Sequence, residues 1–217
     1  MGLNSLVAGA TGLVGSALLD VLAGHPSYAS VLALTRRAPA PPDSGRVHWL
    51  RTDFQHSPSF SPPPDIVFLC LGTTRRKTPD SQAFRAVDHD LTLWCASEAR
   101  KAGAATCVLV SAVGASQQSR FSYNRIKAET EADLAQLGFD SLLIFRPSLL
   151  LGPRQERRRA ETLGKLAGRL ISPCLRGPMA RWHPTRADWL ARCMARHGAH
   201  PLPGVHRLHY PFNTPES

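Results

Sequence analysis

The sequence predicts an α/β protein built on a doubly wound parallel sheet with a small C-terminal cap. Short apolar runs alternate with segments of helical periodicity from the N-terminus to about residue 147. Two of these runs, 65–72 and 106–111, are almost continuously apolar, as in strands buried on both faces of a parallel sheet. In addition, the first strand passes into the first helix through a turn with three glycines at three-residue spacing.

This glycine turn is suited to a pyrophosphate. Gly9 lets the chain turn, Gly12 lets the backbone approach the phosphates without an intervening Cβ, and Gly15 lets the helix pack closely on the strand. The N-terminus of the helix then offers free N–H groups and the positive end of its dipole to an anion. We therefore expect a dinucleotide phosphate site at this turn.

The second strand, predicted over 31–35, ends at Arg36 and Arg37. A dinucleotide fold that prefers NAD usually has an acidic residue here, about 20 residues after the glycine turn, to bind the ribose 2′-hydroxyl. No acidic residue lies between positions 20 and 43. Two arginines suit a 2′-phosphate by charge and by fork geometry. The pattern favours NADPH, and the alternative is a loop with two exposed arginines.

The remaining elements follow from the same alternation. A stretch rich in Ser and Pro over 57–64 predicts a loop where a crossover helix would otherwise stand. The other predicted strands are 47–50, 65–72, 106–111 and 141–145, and the other predicted helices are 81–103 and 122–137.

The alternation ends at Pro147. Beyond it, 186–197 has the pattern of one more helix, and 201–217 reads as irregular. We expect one domain over 1–217, with a core over about 1–147 and a small substrate-side cap over about 148–217.

Tyr123 and Lys127 are four residues apart in the helix predicted over 122–137, so their side chains share one face. A free phenol has a pKa of about 10, which a nearby cation lowers. Ser111 ends the fifth strand at the sheet edge that carries the glycine turn, where its hydroxyl could bind a substrate carbonyl. The alternatives are a half-buried helix tyrosine and a strand-end hydroxyl bonded to the backbone.

Together, the glycine turn, Ser111 and the Tyr-x-x-x-Lys pair resemble the short-chain dehydrogenase/reductase superfamily, in its extended and atypical branches with an NAD(P)-binding Rossmann fold. Three further stretches, 70–75, 84–88 and 145–152, look more narrowly like the small oxidoreductases related to the HIV Tat-interacting protein. The resemblance covers residues 3–195.

The resemblance implies a role for each matching residue. Tyr123 would be the general acid in carbonyl reduction or the base in alcohol oxidation, Lys127 would stabilise its ionised form, and Ser111 would orient the substrate carbonyl. Asp88 stands where many relatives have an asparagine that completes a proton relay. The implied cofactor contacts are Gly9, Thr11, Gly12, Leu13, Val14 and Gly15 at the pyrophosphate, Arg36 and Arg37 at the 2′-phosphate, Asp53 at the adenine, Leu71, Gly72 and Thr73 at the adenine-side ribose and phosphates, and Tyr123, Lys127, Pro147 and Leu149 at the nicotinamide and its ribose.

The function this implies is an NAD(P)H-dependent oxidoreductase, with NADP(H) favoured over NAD(H), acting on a small carbonyl or alcohol. Two alternatives stay open: an NADPH-binding regulator or scaffold with weak or no catalysis, and an enzyme similar to the nucleotide-sugar epimerases and dehydratases. The complete Ser, Tyr and Lys set favours an enzyme. A homodimer through the two long helices, and a protein partner, are expected by analogy with relatives.

The composition argues against a nucleic-acid-binding protein, a membrane-spanning protein and a metal site. The net charge of +10 is spread along the chain without a nucleic-acid-binding motif, so we expect no nucleic-acid partner. No apolar run reaches the ~18 residues of a membrane span. The five cysteines form no C-x-x-C pair, which favours reduced core thiols in a cytoplasmic protein over a metal site.

Overall fold

The computed structural model describes residues 2–36, 45–72, 80–152 and 177–212. No helix in these ranges is long and apolar enough to cross a membrane. In chain order the elements are β1 (Leu3–Ala8), α1 (Leu13–Gly24), β2 (Tyr28–Thr35), β3 (Val47–Arg51), β4 (Ile66–Leu69), α2 (Ser81–Arg85), a π-helical turn (Ala86–Asp90), α3 (Leu91–Lys101), β5 (Thr106–Val110), α4 (Ser122–Ala135), β6 (Ser141–Arg146), β7 (Leu150–Leu151), a 3-10 helix (Gly177–Trp182), β8 (Thr185–Arg186), α5 (Ala187–Ala199) and β9 (Gly204–His209).

Seven of these strands form one parallel sheet in the order β3-β2-β1-β4-β5-β6-β9. This arrangement confirms the predicted doubly wound α/β fold. The strand order reverses direction between β1 and β4, and ligands of such sheets bind at this switch point, beyond the carboxyl ends of the strands. The short strands β7 and β8 pair with each other, outside the main sheet.

Each face of the sheet is covered by helices, which explains the continuous apolar runs of β4 and β5. Phe68 and Phe145 belong to the core on the face covered by α1 and α5. Cys95 and Leu134, from α3 and α4, belong to the core on the opposite face. On the first face, the buried Tyr28 hydroxyl donates a hydrogen bond of 2.7 Å to the Ala195 carbonyl, which fastens α5 to the sheet.

The described cysteines are free thiols within these cores. Cys95, Cys107 and Cys193 are buried and Cys70 is half-buried, which confirms the prediction that they are core residues. Burial raises the pKa of Cys70 to about 12, so its reactive thiolate is scarce at neutral pH. Cys174 lies outside the described residues.

The prediction of irregular structure after residue 201 is wrong over β9. This strand lies at the sheet edge, with Val205 and Arg207 exposed, so it lacks the continuous apolar run that identifies the inner strands. The helix predicted over 186–197 is present as α5, which packs on the main core together with α1.

The helix predicted over 81–103 is present over 81–101, but a π-helical turn interrupts its α-helical repeat between α2 and α3. A π turn adds one residue to the helical repeat, which an apolar periodicity of this length does not reveal. The turn contains Asp88 and His89, and both are buried although they are consecutive.

The sheet core supports a direct stability test. Phe68 is fully buried and its ring lies 6.0 Å from that of Tyr28. We expect Phe68→Ala to lower the free energy of unfolding by about 3–5 kcal/mol, through lost burial and the cavity left behind. Urea denaturation followed by circular dichroism measures this change. The control Val205→Ala, on the exposed face of β9, should change it by less than about 0.5 kcal/mol; equal effects would contradict this description of the core.

Candidate functional site

The glycine turn brings backbone atoms into contact where side chains would not fit. Gly9 has a φ of +81°, and a Cβ there would lie 2.5 Å from the Cys70 carbonyl. A Cβ on Gly15 would lie 2.1 Å from the Gly9 carbonyl oxygen. The Gly12 N–H donates a 2.9 Å hydrogen bond to that same oxygen. Strand, turn and helix are therefore locked together through backbone contacts.

The N-terminus of α1 fits a pyrophosphate. Its N-cap, Gly12, supplies no side chain to bond the first N–H groups, and no acidic residue stands in the first turn. Thr11, Gly12 and Leu13 are exposed, whereas Val14 is buried in the core. Val14 could thus contact a cofactor through its backbone only. This open cradle is what a nicotinamide dinucleotide requires at its phosphates.

A cleft of about 630 Å³ lies at the carboxyl ends of β2 and β3. Arg36 and Arg51 both line it, and both are exposed. Arg51 is a functional candidate that the sequence analysis missed. Its position could have indicated it, because Arg51 ends the strand beside β2, where it pairs with Thr35 in the sheet register. Arg37, the other predicted arginine, lies outside the described residues.

Asp53 lines the same cleft. Its carboxylate accepts hydrogen bonds from the N–H groups of Gln55 and His56, and it lies 2.8 Å from His56 Nδ1. These bonds, with that from Gln55 the largest cause, lower the pKa of Asp53 to about 2. At neutral pH Asp53 therefore offers the cleft an acceptor. Its contact with adenine stays a prediction.

Tyr123 and Lys127 lie on successive turns of α4. The Tyr123 ring packs against Phe84, with centroids 5.2 Å apart. The Lys127 ammonium is buried, 2.8 Å from Asp88 Oδ1 and 3.4 Å from the carbonyl of Val110, the last residue of β5. The ion pair thus lies beneath the carboxyl edge of the sheet.

Asp88 also adjoins the end of β4. Its Oδ1 lies 3.4 Å from the position that a Cβ on Gly72 would take. Gly72 is exposed and Leu71 half-buried, at the strand end where the adenine-side contacts were predicted. Thr73, predicted beside them, lies outside the described residues.

Ser111 does not have the free hydroxyl expected of a group that orients a carbonyl. It is buried and donates to Glu131 Oε1 at 2.5 Å. Glu131 also accepts a pair of bonds from Arg146 and one of 3.2 Å from Arg207. The reason is the alternation of the strand, which turns Ser111 toward α4. Glu131 was not among the predicted site residues, although its place four residues after Lys127 puts it on the same helix face.

The segment after β6 contacts both sides of the site. The Pro147 carbonyl accepts a 2.9 Å bond from the Val113 N–H, which joins the chain beyond β6 to the chain beyond β5. Leu149 is exposed, as a nicotinamide neighbour would be. A Cβ on Gly152 would lie 2.5 Å from Leu13 Cδ1, so this segment packs against the glycine turn.

Comparison with known proteins agrees with this geometry. Residues 5–191 match the model of the NAD dependent epimerase/dehydratase family. The chain is similar to the mitochondrial protein FMP52 of Eremothecium gossypii, with 39% identity over 77% of this chain and 78% of that protein. It is also similar to FMP52 of Coccidioides immitis, with 34% identity over 93% of this chain and 88% of that protein. Because these relatives are named mitochondrial, the prediction of a cytoplasmic protein is wrong.

Solved structures share the fold. MoeE5 in complex with UDP-glucose and NAD has a TM-score of 0.67 at 17% identity, covering 94% of this chain and 75% of that one. UDP-glucose 4-epimerase from Thermotoga maritima with UDP-glucose has a TM-score of 0.65 at 14% identity, covering 95% and 76%. With a matching family model, FMP52 relatives and a cradle that fits a dinucleotide, the chain belongs to the NAD dependent epimerase/dehydratase family of Rossmann-fold proteins.

Proposed function

We propose that the protein is an NADPH-dependent oxidoreductase that converts a small carbonyl compound and its alcohol into each other. The observation that carries this proposal is the burial of Lys127 one turn from Tyr123, beneath the edge where the cofactor cradle lies. Burying an ammonium is costly, and apolar side chains would serve the fold better at this position. A buried charge beside a tyrosine in such a place is typical of a reaction site.

Different residues of the chain would bind different parts of the cofactor. The glycine turn and the N-terminus of α1 would hold the pyrophosphate, and Arg36 and Arg51 would hold the 2′-phosphate through charge-assisted bonds. When bound, the nicotinamide supplies or accepts the hydride.

Tyr123 would then carry the proton. In reduction its phenol donates to the carbonyl oxygen, and in oxidation its phenolate accepts the hydroxyl proton. We propose that Tyr123, and not Ser111, polarises the substrate carbonyl, because the Ser111 hydroxyl is bonded to Glu131. Ser111 would instead join the end of β5 to α4 through Glu131, and so help to fix the helix that carries Tyr123.

NADPH preference can be tested at the cleft. We expect Arg36→Ala combined with Arg51→Ala to weaken NADPH binding at least about tenfold, since a hydrogen bond between charged groups contributes about 1.5–3 kcal/mol. NADH binding should stay within about twofold, because NADH carries no 2′-phosphate. Tryptophan fluorescence measures both affinities, and Trp49 on β3, next to the cleft, is a suitable reporter.

The matched control for this test is Arg192→Ala, which removes an exposed arginine that pairs with Asp188 on α5. It should leave both affinities unchanged. Equal losses of NADPH and NADH binding in the double variant would show that the cleft does not read the 2′-phosphate.

A second prediction separates Tyr123 from Ser111. We expect Tyr123→Phe to slow NADPH-dependent reduction of 4-nitrobenzaldehyde at least about 100-fold, because the proton donor is lost. NADPH affinity should be retained, because the ring still packs on Phe84. Ser111→Ala should cost less than about tenfold, as expected for a group outside the proton path. A loss as large as that of Tyr123→Phe would restore Ser111 to the role of orienting the carbonyl.

A nucleotide-sugar epimerase or dehydratase is the second candidate, favoured by neighbours of the same fold solved with UDP-sugars. Such an epimerase returns the hydride to its substrate, whereas a reductase consumes NADPH. Net NADPH oxidation with a carbonyl probe supports the first candidate, and binding of UDP-glucose without it supports the second. A Tyr123→Phe variant without effect on any turnover would favour the regulator or scaffold. The narrower likeness to the Tat-interacting group stays a prediction.

A further inference from the structure

Exposed apolar side chains are concentrated at one end of the sheet. Seven large ones are exposed in the described ranges, and two of these, Leu202 and Val205, lie near the amino end of β9. The other five belong to segments beyond the carboxyl ends of the strands: Leu13, Phe121, Leu149, Met179 and Trp182. Single exposed apolar residues are ordinary, but a group of them in one place marks a binding surface.

The proposed cofactor accounts for two of these five residues. Leu13 begins α1, whose N-terminus would hold the pyrophosphate, and Leu149 would lie beside the nicotinamide. Met179 and Trp182 belong to the 3-10 helix and are 55% and 47% exposed. None of the proposed cofactor contacts includes them. They extend the apolar surface beyond the cofactor, and their exposure needs another explanation.

The segment that carries Trp182 is fastened to the segment that carries Leu149. Ser148 Oγ donates a hydrogen bond of 2.6 Å to the His183 carbonyl, and the Thr185 N–H donates one of 2.9 Å to the Leu149 carbonyl. The pairing of β7 with β8 continues this attachment. Trp182 therefore comes one residue before the point at which the two segments are bonded.

His183 anchors this segment from below. Its ring stacks on that of Tyr210, with centroids 4.6 Å apart and planes at 17°. Tyr210 follows the carboxyl end of β9, and its ring lies 5.2 Å from that of Trp189 on α5. The Trp182 ring, in contrast, has the Arg181 guanidinium 5.9 Å from its centroid and is half exposed. Trp182 is thus an exposed aromatic residue on a segment that is held in place.

We propose that Trp182, together with Met179, determines substrate specificity by covering the apolar body of the substrate, an aldehyde or ketone with a medium-length chain or a ring. This substrate class rests on the proposed function, in which the carbonyl carbon receives the hydride and the carbonyl oxygen receives the proton. A carbonyl beside the nicotinamide would lie near Leu149, and the rest of the molecule would then lie along the segment bonded to Leu149. A rigid aromatic surface suits such an apolar body.

The position of the patch selects the substrate as its occupant. The apolar surface is continuous with the proposed cofactor site, because Leu13 packs against Gly152 and the segment ending at Gly152 is bonded to the one that carries Trp182. A protein or a membrane that covered this patch would also cover the entrance to the nicotinamide position. A substrate with an apolar body would occupy both at once.

A series of straight-chain aldehydes tests the proposal by kinetics with NADPH. From butanal to octanal, kcat/KM of the native chain should rise about twofold or more per methylene, because burying a methylene is worth up to about fourfold. In Trp182→Ala the rise should flatten, so that octanal loses at least about tenfold while butanal changes by less than about twofold. Trp182→Phe should keep most of the rise, because it retains an aromatic surface.

The matched control is Leu202→Ala, which removes an exposed apolar side chain near the other end of the sheet. It should leave the dependence on chain length unchanged. Met179→Ser is a second variant on the 3-10 helix and should flatten the rise as Trp182→Ala does. Circular dichroism checks that each variant is folded, and Met179→Ser carries the test if Trp182→Ala is not.

Binding of amides separates this inference from the proposed function, because NADPH does not reduce an amide carbonyl. Calorimetry with and without NADP⁺ should show octanamide binding at least about tenfold more tightly than butanamide to the native chain. Trp182→Ala should bring the two affinities within about threefold of each other. If no aldehyde is reduced but this difference holds, the proposed function fails and the apolar site stands. Equal affinities in the native chain, or no binding of octanamide in either condition, overturn the inference.

Phosphatidylcholine vesicles test a lipid surface as the alternative occupant. They carry no net charge, so the net charge of +10 on the chain does not drive binding to them. We expect the native chain to stay in the supernatant when the vesicles are sedimented. Sedimentation with the vesicles that Trp182→Ala abolishes and Leu202→Ala does not, with equal affinities for the two amides, would assign the patch to lipid and overturn the inference.

Discussion

The site depends on how α4 is attached to the carboxyl ends of the central strands. Besides apolar packing of Leu134, the attachment includes polar contacts along one stripe of the helix. Lys127 forms an ion pair with Asp88, and one turn later the Glu131 carboxylate accepts hydrogen bonds from Ser111 and Arg146. Each contact has a defined length and direction, so the stripe fixes the rotation and height of the helix more tightly than apolar packing alone. Tyr123 lies one turn before Lys127 on the same helix, and its ring packs on Phe84.

The sequence predicted correctly those features that depend on residues close together in the chain. The run at 65–72 identified an inner strand because both of its faces are buried, and Gly9 and Gly15 identified a turn because no Cβ fits there. Spacing alone placed Tyr123 and Lys127 on one face of α4. These features depend on neighbours in the chain or on burial that is uniform along a segment.

The features that escaped prediction depend on partners distant in sequence. β9 reads as irregular because an edge strand mixes exposed and buried positions, and only pairing with β6 makes it a strand. The π-helical turn is one extra residue within a helical repeat. Ser111 lies where the fifth strand was predicted to end, but its bond to Glu131 spans 20 residues and depends on how the helix is seated. Arg51 became a candidate once β3 was aligned beside β2.

The contact between Gly152 and Leu13 gives the site a further property. Leu13 begins the helix whose N-terminus we propose to hold the pyrophosphate, and Gly152 ends the segment that carries Leu149, which we propose to lie beside the nicotinamide. A dinucleotide that presses the Leu13 side chain toward Gly152 on binding would also displace this segment. The dinucleotide and the substrate would then not bind independently. The free energy by which the dinucleotide changes the affinity for the substrate equals that by which the substrate changes the affinity for the dinucleotide. One contact between a leucine and a glycine would thereby couple the binding of the cofactor to the binding of the substrate.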